Sequence, residues 1–329
     1  MVSDLRSTCS FCCWYPIFKE DSLKATIVYV TNDVLKYLQH DKFVLPLETI
    51  QSLPKSSQWS DGLPVTSEGE EADYQPTFPK FSQEIQDVLD EYKAVFVKSN
   101  WSSPMDATWI TPTKTLKCKT LEEVYLLLKS SDRIAKDLNT ARSLRESQES
   151  PLSFCLVLKQ WQDIDPCTEF RCFVMDNELI AISQRDISQY HKSYESEKYS
   201  IQTDIESFFL GRIKGRFPLR NYSFDVVRRK EDHVKIVDFG PIDETFTRGT
   251  LFTFEELQEH KNGTPEFRFI GEKMGIQPKQ STHFCIPYEI NEFFRSGDRN
   301  VSLLNIIQRE VESQRNETES ENADAQENV

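Results

Sequence analysis

Two apolar runs in the second half of the chain constrain the fold most tightly. Residues 222–227 and 234–239 flank the polar stretch Lys230–His233, the pattern of an antiparallel hairpin. If that stretch is a four-residue loop, Asp225 lies directly opposite Asp238. Opposed residues of an antiparallel pair share a face, with Cβ atoms about 4.5–5.5 Å apart. Their neighbours Phe224, Val226, Val237 and Phe239 are apolar, so both acids sit in a half-buried sheet, where like charges repel. A divalent cation would neutralise them, and oxygen ligands suit magnesium bridging to phosphates. A register one residue away sends one Asp to solvent instead, and the pair alone does not decide between the two.

The preceding hairpin adds to this. Residues 169–174 and 179–184 flank Met175-Asp176-Asn177-Glu178, which sets Glu169 opposite Gln184 with Arg171 on the same face. Such polar side chains inside a strand line a site or pair with one another. Lys98 ends the run Val95-Phe96-Val97, and Lys159 ends Leu156-Val157-Leu158. A terminal lysine either snorkels or joins a cleft. Two lysines, Arg171, Arg185 and two carboxylates in one cleft describe a nucleotide site without a Gly-rich loop. With 10 Gly in 329 residues, no Walker-type loop is expected. The loop Lys98–Pro104 is either an ordinary turn or a loop contacting phosphate or base. The five His make no metal spacing, and no Gly-x-Ser-x-Gly elbow supports a nucleophilic site.

Chain length predicts two domains. We expect an N-terminal α/β lobe over 1–150 with an acidic linker at 51–77, a C-terminal lobe over 151–312, and a disordered acidic tail over 313–329. Strands are expected at 23–30, 94–97 and 154–158, the last covered on both sides. A short helix and turn are expected at 32–45, and helices from Phe81, after the Thr120/Glu123 capping box, around Ile201–Phe209 and at 303–311, with loop at 141–151. The aromatic segment Phe11–Phe18 is either docked on the core or a partner-binding patch. Cys9-x-x-Cys12 invites a zinc reading, but Cys167 and Cys172 make a poor second pair, so buried or incidental thiols are expected. A net charge of −14 and a pI near 5.0 disfavour nucleic acid and acidic membranes. With no signal-peptide core and no run of about 20 apolar residues, a soluble, cytoplasmic monomer is expected.

Collinear segments carry a family resemblance. They are Cys9-Ser-Phe-x-x-Trp-Tyr-Pro-x-Phe18, Gln58-Trp-Ser-Asp61, Lys98-x-Asn-Trp-Ser-x-Pro-x-Asp-Ala107, Leu116-Lys-Cys-Lys-Thr-Leu121 and Leu156-Val-Leu-x-x-Trp161. Glu169-Phe-Arg-Cys-Phe-Val174, Ile182-Ser-Gln-Arg-Asp186, Phe224-Asp225, Val237-Asp-Phe-x-Pro241 and Leu251-Phe-Thr-Phe-Glu-Glu-Leu257 complete the set. The chain resembles the cell division cycle protein 123 (D123) family. The resemblance implies an α+β, ATP-grasp-like fold that binds ATP and magnesium. It also implies a chaperone-like assembly role with a cell-cycle link, in which the partner is the gamma subunit of eukaryotic translation initiation factor 2. It places Lys98 on phosphate, with Trp101 and Ser103 in the neighbouring loop. It puts Lys159, Gln160 and Trp161 at the adenine hinge, Glu169, Arg171 and Arg185 on the nucleotide, and Asp225 and Asp238 on the metal. Three positions depart from the family pattern: Gly240 replaces an Asn, Met105 replaces an Arg, and Lys159 stands where Arg is common. Two alternatives follow, a ligase- or kinase-type enzyme on the same fold and a scaffold that has lost nucleotide.

Overall fold

The chain builds two sheets that share one aromatic helix. The structure is a computed structural model that describes residues 2–40, 43–51, 75–111, 113–146, 154–229, 233–243, 250–259 and 263–271. Met1–Ser281 form one compact unit. Most of the expected linker, the 303–311 helix and the 313–329 tail lie outside the described residues.

The first sheet has the order β1-β4-β2-β3, with β1 at Ala25–Tyr29, β2 at Val95–Lys98, β3 at Lys117–Cys118 and β4 at Cys155–Gln160. All its pairings are antiparallel. The alternation of β4 divides its side chains between two cores. Leu156 and Leu158 pack with α3 (Asn32–Gln39), α5 (Pro79–Tyr92), α6 (Leu121–Lys129) and α7 (Asp132–Glu146), whereas Cys155 and Val157 face the second sheet. This is the doubly covered strand that its unbroken apolar run predicts. Helix α5 buries Phe81, Ile85, Val88, Leu89 and Tyr92, and the Thr120/Glu123 capping box starts α6 as expected.

The second sheet has the order β8-β7-β5-β6-β9. Its strands are β5 (Glu169–Met175), β6 (Glu178–Gln184), β7 (Tyr222–Arg228), β8 (Val234–Gly240) and β9 (Glu266–Arg268). All neighbours are antiparallel except the parallel β6/β9 pair, so the architecture is the expected α+β with antiparallel and mixed sheets. The remaining helices are α1 (Val2–Thr8), α2 (Phe11–Phe18), α4 (Leu47–Gln51), α8 (Ser193–Phe208) and α9 (Phe254–Glu259).

Helix α2 lies between the sheets. Phe11, Trp14, Tyr15 and Phe18 fall at i, i+3, i+4 and i+7, and all four are buried. Trp14 and Phe18 pack on Phe239 of β8, with ring centroids 5.0 and 5.2 Å away. The Tyr15 hydroxyl donates to the Ala25 carbonyl at 3.1 Å and accepts from the Ala25 amide at 2.9 Å, which fixes the start of β1. The aromatic segment is therefore docked on the core.

Two expectations need correction. Residues 141–146 are helical: Ile134, Leu138 and Ala141 form a buried stripe on α7 that its polar outer face conceals. A division at residue 150 does not separate the sheets, because β4 is interior to the first sheet while residues 9–18 pack in the second core.

Candidate functional site

The second sheet brings the acids together. Asp225 and Asp238 are cross-strand partners on one face of β7 and β8. The route differs from the expected four-residue loop. Near the turn Arg228 pairs with Val234, Val227 with Lys235 and Val226 with Ile236, one residue short of the expected register. A bulge between Asp225 and Val226 inserts Val237 and restores the register at the two acids. The inserted residue also turns its carbonyl outward, and Lys159 Nζ donates to it at 2.6 Å.

In the β5/β6 hairpin a bulge has the opposite effect on the expectation. The turn is the two residues Asp176 and Asn177, with φ of 50° and 64° suited to a tight hairpin. A register shift between Phe173 and Val174 then pairs Phe170 with Gln184 and Arg171 with Ser183. Glu169 therefore does not face Gln184. The Glu169 carbonyl accepts from the Arg185 amide at 3.1 Å instead. Gln184 is buried on the far face, where it donates to the carbonyls of Asp186 and Gln189 and accepts from the Ile270 amide. The extra residue thus removes Gln184 from the site and aligns Arg185 with it.

Cations from both sheets meet the acids. Arg171 grips Asp225 with Nε to Oδ1 and Nη2 to Oδ2, each at 2.7 Å, and Arg185 Nε lies 3.4 Å from Oδ2. From the first sheet, the buried Lys98 forms an ion pair with Asp238 Oδ2. Burial favours the neutral form of Asp225, but the guanidinium groups of Arg171 and Arg185 outweigh it and hold the acid at about 2. Burial pulls Lys159 down to about 8, with Asp238 opposing and Lys98 assisting. Burial, then the charge on Asp225, pushes Glu169 upward. The Phe11 ring lies under both lysines, 5.3 Å from Lys98 Nζ and 5.1 Å from Lys159 Nζ.

The loop after β2 is locked rather than open. Asp137 of α7 accepts from Ser99 Oγ, from the Ser102 amide at 2.9 Å and from Ser102 Oγ at 3.2 Å. Asn100 is buried: its carbonyl accepts from the Phe11 amide, and its Oδ1 accepts from the Cys155 amide at 2.8 Å. Trp101 donates its indole N–H to the Arg6 carbonyl at 2.8 Å, and the Ser103 carbonyl accepts from the Met105 amide. At the end of β4, the Gln160 amide donates to the Lys24 carbonyl and the Trp161 amide to the Ala94 carbonyl. The Trp161 ring lies 5.4 Å from Lys117 Nζ. The site thus joins Lys98, Lys159, Glu169, Arg171, Arg185, Asp225 and Asp238, with Gln160 and Trp161 continuing the strand that carries Lys159. Trp101 serves as an anchor to the N-terminal segment. Asp137 and Phe11 were not foreseen. Their signals are an acid on a polar helix face and the first of four aromatics at helical spacing.

Each carboxylate has its own cation here, Asp225 with Arg171 and Asp238 with Lys98. Among the described residues no three His, Cys, Asp or Glu groups form a metal cluster. Two carboxylates still fit magnesium in its usual mode, where phosphate and water oxygens complete the shell. Gly240 pairs with Ser223 and offers no side-chain oxygen to that shell.

The profile of the family described as D123 matches residues 14–294. A translation initiation factor eIF2 assembly protein of Xenopus tropicalis is 33% identical over 310 residues, covering 88% of this chain and 92% of its own. A cell division cycle protein 123 of Yarrowia lipolytica is 40% identical over 238 residues, covering 70% of this chain and 62% of its own. The solved structure of Cdc123 from Schizosaccharomyces pombe superposes with a TM-score of 0.66 at 33% identity, covering 82% of this chain and 98% of that one. By its matched length, its relatives and its fold, the chain belongs to the D123 family.

Proposed function

We propose that this protein is a chaperone-like assembly factor for eukaryotic translation initiation factor 2 that engages the gamma subunit and holds ATP with magnesium between its two sheets, in an ATP-grasp-like arrangement. Relatives similar over most of the chain carry the assembly name, which supports the first part. The observation that carries the second is the meeting of Lys98 from one sheet with Asp238 from the other, beside Lys159, Arg171, Arg185 and Asp225. Lys98, Lys159, Arg171 and Arg185 would hold the phosphates, and Asp225 and Asp238 would hold magnesium. Glu169, whose pKa is raised by burial and then by the charge on Asp225, lies beside the two acids. Magnesium supplies the positive charge that lets both carboxylates face a phosphate. Gln160 and Trp161 flank the base. Turnover is not required: nucleotide that binds only the native state stabilises it by linkage.

Titration calorimetry with ATP, with and without magnesium, tests the nucleotide half. Heat is expected for the native protein, and Asp225→Ala and Asp238→Ala should each lose the magnesium-dependent part while remaining folded by circular dichroism. Unchanged affinity in both removes the metal assignment. Capture of the gamma subunit with and without ATP tests the assembly half. The complete internal pairing of the two acids, with Gly240 and Met105, favours one further reading: a scaffold without nucleotide. Silence at millimolar ATP together with retained gamma-subunit binding would establish that reading.

A further inference from the structure

Strand β2 holds Lys98 from one side. Its pairing with Val157 is the last on the β2/β4 ladder, and its side chain crosses to Asp238 of the second sheet. On the other side the chain closes at once into a turn. The Ser99 amide donates to the Ser102 carbonyl at 2.8 Å, and Ser99 Oγ accepts from the amides of Trp101 and Ser102 at 3.2 and 3.1 Å. One carboxylate ties this turn to α7. Asp137 Oδ2 accepts from Ser99 Oγ and from the Ser102 amide, and Oδ1 accepts from Ser102 Oγ. The helix is a firm anchor, because Ile134 and Leu138, which bracket Asp137, are buried in the first core. Asp106 ties the far end of the same segment to the start of α7. It accepts from Ser131 Oγ at 2.6 Å and from the Arg133 amide at 3.1 Å. Ser99 and Asn100 are fully buried, so the turn cannot shift without disturbing packed neighbours.

We propose that Asp137 is a positioning residue for Lys98: it holds the turn Ser99–Ser102 so that the lysine stays buried where the two sheets meet, preset for a phosphate. The phosphate part rests on the nucleotide reading above, and the holding of Lys98 stands apart from it. The pattern of hydrogen bonds does the holding, rather than the charge. An amide at position 137 keeps that pattern, because its oxygen accepts from Ser99 Oγ and the Ser102 amide while its NH2 donates to Ser102 Oγ. Alanine there removes all three bonds. Ligand groups held in place before binding cost less to order, so a loosened Lys98 weakens any phosphate contact it makes.

The test pulses the full chain, without nucleotide, with acetic anhydride and reads each lysine by peptide mass spectrometry. In the native protein Lys98 and Lys159 should both react slowly, since they are 2% and 5% exposed. Asp137→Ala should let Lys98 react about 10-fold faster through local opening of the turn. Lys159, on another strand, should keep its native rate. Asp137→Asn should keep the native protection of Lys98. Ser99→Ala, which leaves the acid in place, should speed Lys98 by about 3-fold, and it carries the same comparison if Asp137→Ala does not fold. Calorimetry then reads the phosphate part: Asp137→Ala should bind ATP about 10-fold more weakly, and Asp137→Asn should bind it as the native protein does. A native protein silent to ATP removes the nucleotide reading, and the labelling still decides the role of Asp137. Unchanged Lys98 labelling in Asp137→Ala and Ser99→Ala, an equal rise at Lys98 and Lys159, or loss of protection in Asp137→Asn overturns the proposal.

Discussion

The β5/β6 and β7/β8 hairpins each carry one extra residue, and in both the irregularity lies between an inner strand and its outer neighbour, because β5 and β7 pair with each other without a break from Glu169↔Val227 to Val174↔Tyr222. Arg171 and Asp225 are direct partners on that unbroken ladder. Asp238 and Arg185 reach the same face from the flanking strands, past a bulge. The inner pair is therefore set by continuous backbone bonding, and the outer groups are set by where the bulge falls. Bulges re-aim side chains. Here one aligns a cation and the other presents a carbonyl to Lys159.

The largest effect should come from the inner pair. Arg171→Ala removes the bidentate partner of the buried Asp225, leaving it only the longer Arg185 contact, and should cost about 3–5 kcal/mol in urea unfolding. A loss near that of an exposed pair would show that the inner ladder holds no special place.

The second test concerns the carbonyl that the β8 bulge presents. Lys159 titrates near 8 when folded and near 10.4 when unfolded. Between those values the unfolded chain binds more protons, so this residue's contribution to stability rises with pH and is lost as pH falls through about 8. Buried thiols act in the opposite sense, since burial raises Cys9 to about 12 and it resists ionisation. The difference between native protein and Lys159→Met isolates the lysine. It should grow in favour of the native protein by about 1–2 kcal/mol from pH 8 to pH 10. A flat difference would mean that Lys159 is not held in a desolvated site.

The smallest effect is on the flanking cation. The Arg185 side chain is 39% exposed, and its contact with Asp225 is the longer one at 3.4 Å. Arg185→Ala should cost under about 1 kcal/mol. A cost equal to that of Arg171→Ala would erase the distinction between ladder and flank.

Much of this site was readable from residue order. The acid pair, the lysines at the ends of β2 and β4, and the shared face of Glu169 and Arg171 all followed from alternation. The bulges did not, and the reason is specific. The extra residue of β6 falls within Leu179-Ile180-Ala181-Ile182, and that of β8 is Val237 beside Ile236. An insertion inside an apolar run leaves no break in the pattern. The Asp pair was placed correctly because a loop one residue shorter and a bulge one residue longer cancel. Gln184 was misplaced because nothing cancelled its shift. Residues 141–146 were missed because α7 shows mostly polar side chains, and only a narrow stripe reports its buried face.

The housing of α2 has a consequence for synthesis. Trp14 leaves the ribosome 225 residues before Phe239, the ring it packs against. At ordinary elongation rates that interval is on the order of 10–45 s. Throughout it, Trp14 lacks the β8 ring it packs on, so a nascent chain halted before β8 would leave that side of the indole open to whatever surface is nearby.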